Sequence, residues 1–123
     1  METFSISDKA SINITDDTGI ITLIWHGIVD SDYANSVMRD FLMDFHEKCK
    51  QKSITQLVTD FRGMKFMFSS GIKTLIGWFK LFSDEKRYIG TIVYNNRIRW
   101  QDVTFESIRI ILKDVELVNK EST

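Results

Sequence analysis

The chain has 123 residues, a length that suits one domain with a substantial core. Hydrophobic residues make up 43% and charged residues 27%, the balance of a folded globular domain rather than a disordered one. Sixteen basic side chains nearly cancel 17 acidic ones, so no global field would hold the protein on nucleic acid or anionic lipid. The single cysteine, Cys49, excludes an internal disulfide framework and a multi-cysteine zinc site. No basic stretch leads into an apolar one at the N-terminus, and the longest apolar run, residues 20–25, is interrupted by Thr22. A membrane helix needs roughly 20 apolar residues, so the expectation is a cytoplasmic protein without signal peptide or membrane insertion.

Residues 11–15 alternate polar and apolar, the period of a half-buried strand, and Asp16-Asp17-Thr18-Gly19 supplies a turn. The β-branched run 20–25 follows, so the two read as a hairpin, ended by Gly27 and Asp30-Ser31. Ser31 or Asp32 can cap the next helix. From 33 to 50 the pattern is helical: Tyr33, Val37, Phe41, Phe45 and Cys49 recur every fourth residue, with Ala34, Met38 and Leu42 alongside. Residues 54–59 are a short apolar run ending at Asp60, the pattern of a central strand, and a loop follows. A second helix opens at Ser69-Ser70-Gly71, with Ile72, Leu75, Ile76, Phe79 and Phe82 on one face. Residues 88–94 read as a strand, about 100–113 as a helix burying Val103, Ile108, Ile111 and Leu112, and 115–118 as a last short strand. Strands separated by crossover helices imply an α/β domain with a largely parallel sheet and an antiparallel edge.

Catalytic patterns are absent. His26 and His46 lie on different elements and form no metal-ligand pair. There is no dinucleotide-binding glycine fingerprint, no P-loop and no nucleophile elbow around Ser69 or Ser70. The expectation is a protein that is not an enzyme and that needs no cofactor or metal.

Residues 54–76 read ITQLVTDFRGMKFMFSSGIKTLI, and here the chain resembles the STAS domains, the fold shared by bacterial anti-sigma factor antagonists and the cytoplasmic tails of sulfate transporters. That family's pattern is an apolar strand ending in Asp, a short loop, an apolar-aromatic step, then Asp-Ser-Ser/Thr-Gly-Leu opening a helix. Leu57-Val58-Thr59-Asp60-Phe61 matches the strand end, Met64 and Phe66 the apolar step, and Ser69-Ser70-Gly71-Ile72 the helix opening. The resemblance implies a single STAS-like domain over 1–118 with a polar tail at 119–123. Its sheet would be mixed and mostly parallel, of four to five strands, with an N-terminal hairpin and three to four helices.

The implied function is non-catalytic signalling through a protein partner of the anti-sigma factor or serine kinase type. Ser69 would be the phosphoacceptor, with Ser70 as neighbour and substitute, and Met67, Phe68, Gly71, Lys73, Thr74 and Trp78 would complete the partner surface. The family's acidic residue before the serine is Phe68 in this chain, which removes a carboxylate and places a large apolar group at the docking surface. A serine at a helix start has a plainer role as an N-cap, contributing about 1 kcal/mol. Two other functions stand beside the first: a nucleotide- or lipid-binding module with a pocket near Asp60, and a structural subunit assembling through Met67, Phe68 and Trp78.

Overall fold

The computed structural model describes residues 2–52, 54–85, 89–112 and 114–121. Tyr88 and Lys113, each expected at an element boundary, and Ser122 and Thr123 of the expected tail lie outside them. In chain order the elements are β1 (Glu2–Ser7), β2 (Ala10–Asp17), β3 (Ile20–Val29), α1 (Asp32–Gln51), β4 (Gln56–Met67), α2 (Ser69–Glu85), β5 (Ile89–Tyr94), α3 (Arg99–Ile111) and β6 (Val115–Asn119). The strands lie in the sheet in chain order; β1–β2 and β2–β3 pair antiparallel, and the three later pairs are parallel. The sheet thus has six strands, more than the four to five expected, because Glu2–Ser7 adds an edge strand with Phe4 and Ile6 facing inward.

Each parallel pair is joined through a helix, and such crossovers share one hand, so successive ones stack their helices on the same side of the sheet. Ring contacts confirm it: Phe4 meets Phe41 of α1, and Phe61 meets Phe79 of α2 and Phe105 of α3. Trp25 stacks on Phe61 at 4.9 Å, and its indole N–H donates to Thr59 Oγ1 at 2.8 Å. The opposite face carries a row in register across all six strands, Thr3, Asn13, Ile24, Asp60, Val93 and Val118.

Two turns need backbone that most side chains resist. The β2–β3 loop has Thr18 at φ 50° and Gly19 at φ 90°, the positive pair of a two-residue hairpin turn whose twist matches the strands. At Gly27, φ is 99°, and a Cβ there would lie 1.9 Å from the Lys9 carbonyl oxygen, which already accepts from the Ile28 amide.

β4 departs most from expectation. It continues through Met67 instead of stopping at Asp60, and twice it inserts one extra residue against β3. The pairing with β5 runs only to Asp60, opposite Val93. Side chains of α3 reach the carbonyls of the extension: Gln101 Nε2 donates to Phe61 O at 2.6 Å and to Met64 O at 3.0 Å, and Trp100 Nε1 donates to Met64 O at 2.9 Å.

The helix faces also need correction. Tyr33, expected on the buried stripe of α1, is 74% exposed, and Val37 is half-buried, while Ala34, Met38, Leu42, Phe45 and Cys49 are buried and Phe41 packs against the core. In α3, Val103 and Ile111 are exposed and the polar Gln101 and Thr104 are buried beside Trp100, Phe105 and Ile108. No described helix is long and apolar enough to cross a membrane.

Candidate functional site

β4 and α2 meet at the carboxyl edge of the parallel strands, where an open α/β sheet presents its loops and helix starts. The joint is tight. The Phe68 amide donates to Val29 O, and its carbonyl accepts from the Ile72 amide, both at 3.0 Å. Phe68 therefore holds the cap position, and Ser69 and Ser70 are the first two helical residues rather than caps, a correction to the plainer sequence reading. Phenylalanine offers no acceptor for the first-turn amides, and that turn has no acidic residue. α1 differs: Ser31 Oγ accepts from the Ala34 amide and Asp32 sits in its first turn. The positive end of α2 is thus left uncompensated by its own first turn, beside two exposed hydroxyls.

Gly71 sets how closely α2 approaches β4. A Cβ there would come within 2.8 Å of Met67 Cγ and 3.5 Å of Phe68 Cδ1. One turn further on, Thr74 Oγ1 donates to Asn35 Oδ1 at 2.9 Å, which ties the start of α2 to α1.

The expected partner residues divide into two groups. Ser69, Ser70 and Lys73 are exposed, and Phe68 and Thr74 are half-buried. Met67, Gly71 and Trp78 are buried, and Trp78 is 0% exposed among Phe45, Phe79 and Phe82. These three support the surface from below; Trp78 is no exposed aromatic, because its helix turns it into the α1–α2 seam. Met67 and Trp78 likewise offer no surface for self-assembly. Phe66, matched above only to the family's apolar step, is 46% exposed. Its neighbour Lys65 is exposed too.

Asp60 lies in mid-strand rather than at a strand end. Its Oδ1 accepts from the Arg62 amide and Nε, both at 3.0 Å, and its Oδ2 accepts from Nη2 at 2.8 Å. Hydrogen bonding to Asp60 raises the Arg62 pKa, against the opposing pull of partial burial. The carboxylate organises the first bulge of β4. No group of three or more metal-ligating side chains occurs among the described residues.

Among solved structures, an anti-sigma factor antagonist from Mycobacterium paratuberculosis superposes with a TM-score of 0.67 at 16% identity, covering 92% of this chain and 88% of its own. The fold is that of the anti-sigma factor antagonists. A second antagonist, SpoIIAA in its unphosphorylated form, matches with a TM-score of 0.54 at 14% identity, over 90% of this chain and 89% of its own. No protein-family model and no curated protein matches the sequence. The STAS architecture inferred from one short motif and the order of elements is therefore carried by the backbone, at sequence identities of 14% and 16%.

Proposed function

We propose that this protein is a non-catalytic regulatory domain that binds a protein partner of the anti-sigma factor or serine kinase type. Residues 68–70 and the exposed first turns of α2 form the docking surface, and phosphorylation of Ser69, with Ser70 as substitute, releases the partner. One observation carries the reading: two exposed serine hydroxyls begin a helix that lacks both a capping side chain and an acidic first turn. That helix end tolerates a phosphate, because its amides and dipole supply about half a positive charge. The partner does not: it would have to desolvate about −1.5 to −2 new charges against an apolar patch.

Phe68 in place of an acidic residue is consistent with this arrangement. It plugs the β4–α2 joint and contributes apolar surface where a carboxylate would repel the phosphate. With a serine kinase of the anti-sigma factor type as partner, Ser69→Asp weakens binding and Ser69→Ala leaves it intact and insensitive to ATP. If both variants bind and respond as wild type does, Ser69 is not the switch.

A further inference from the structure

At the opposite end of the parallel strands α1 overhangs the sheet. This helix has 20 residues, and at 1.5 Å per residue it spans about 30 Å. β1 begins opposite Ile14, so the tip of the β2–β3 hairpin projects past it. The gap is an open cleft of about 1040 Å³, just above the roughly 300–1,000 Å³ usual for small-molecule sites. Its floor is apolar. Phe4 and Phe41 lie 4.3 Å apart and Phe41 and Phe45 6.0 Å apart, with Cys49 buried beside them. Burial pushes the Cys49 thiol up to about 11 despite the opposing charge of Lys52, so the floor is chemically inert as well as apolar.

The walls carry mostly one sign of charge. Strand alternation puts Glu2 on the same side of β1 as Phe4, and Asp16 on the same side of β2 as Ile12 and Ile14. Positions that hold core residues elsewhere along these strands hold carboxylates at the cleft. Asp40 and Asp44 add two more from α1. Opposing these four are Lys48, tied to Asp44 at 3.0 Å, and Lys52. The lining charge is therefore −2, and Asp16 is held in place by its turn, Oδ1 accepting from the Gly19 amide at 3.4 Å.

We infer that this cleft binds a small cationic amphiphile. Its aromatic or aliphatic body lies on Phe4, Phe41 and Phe45, and its protonated amine sits among Glu2, Asp16 and Asp40. Phenylalanine ring faces add a further attraction for a cation. The same charge disfavours nucleotides and fatty acids. The cleft and the Ser69 surface lie at opposite edges of the sheet, so this site stands or falls independently of the switch.

The test is a titration of the full chain with dansylcadaverine, an aromatic primary amine, against the anionic probe anilinonaphthalene sulfonate. Saturable dansyl fluorescence, with amide and side-chain shifts centred on Ile14, Phe41 and Cys49, supports the site. A Glu2→Gln/Asp40→Asn double variant then binds about fivefold more weakly, as expected for two exposed ion pairs of ordinary strength. Cys49→Trp, which fills the floor, abolishes binding; if that variant does not fold, the shift map on the wild-type protein decides. Equal affinity for the anionic probe, shifts away from the cleft, or an unchanged double variant overturns the proposal.

Discussion

The Gln101 side-chain amide donates to the Phe61 carbonyl at 2.6 Å, joining α3 to the strand that leads into the serine-bearing start of α2. The same amide group also donates to Met64 O, and its oxygen accepts from the Asn95 amide at 2.8 Å. Gln101 is 0% exposed, so these bonds form in a dry setting where an unmade one costs about 1–3 kcal/mol. Gln101→Leu keeps the volume and removes all three. It is expected to lose about 3 kcal/mol in denaturant unfolding and roughly 10 °C in Tm. A loss under about 1 kcal/mol would show that the clamp is dispensable.

Thr18 offers the opposite sign. A β-branched residue at φ 50° is strained, and two-residue turns of this kind favour Asn-Gly. Thr18→Asn is expected to stabilise the fold by about 1 kcal/mol, read from the unfolding midpoint, with no effect on partner binding at the far edge of the sheet. A destabilised variant would mean that the Thr18 Oγ1 bond to Asp17 Oδ1 outweighs the strain.

Trp78 separates a buried strut from a docking residue. Its indole N–H is buried with no hydrogen-bond partner among the described residues. Trp78→Phe removes that unpaired donor along with some packed area, two terms of similar size, so stability should change by less than about 1 kcal/mol. Partner affinity should stay the same; a large loss of binding in a stable variant would restore Trp78 to the interface.

The far ends of α1 and α2 are joined at Glu85, whose Oε1 lies 3.2 Å from His46 Nε2 and 3.3 Å from Lys50 Nζ. Desolvation pushes the Glu85 carboxyl up, but hydrogen bonds to His46 and Lys50 outweigh it and hold it below its ordinary value. A carboxyl lowered by folding contributes stability that is complete above its unfolded pKa and is lost as pH falls through the folded one. Stability measured from about pH 6 down to pH 3 should therefore fall less steeply in Glu85→Gln than in wild type. Parallel curves would remove Glu85 from the acid response.

The parallel sheet, its crossover helices and the Ser69-Ser70-Gly71 helix start were legible because each follows a simple period or a cap-like signature. β4 beyond Asp60 was not. Its two extra residues shift the inward–outward phase twice, and Gly63 reads as loop although a Cβ there would lie 2.7 Å from the Trp25 carbonyl oxygen. The phase of α3 was hidden for a related reason. The extended strand needs buried donors, so Gln101 faces inward, while Val103 and Ile111 are left on the outside. At the candidate site, the exposure of Ser69 and Ser70 agreed with the reading of a helix start. Trp78, expected on the partner surface, is turned inward by packing against Phe45, Phe79 and Phe82, which the sequence pattern does not show.

The most direct measurement is phosphopeptide mapping of residues 67–73 in protein isolated from its own cells, under conditions that activate and silence signalling. The expected result is phosphate on Ser69, or on Ser70 in its place, with occupancy that changes between conditions. A peptide unmodified throughout, in a protein phosphorylated elsewhere or not at all, would contradict it.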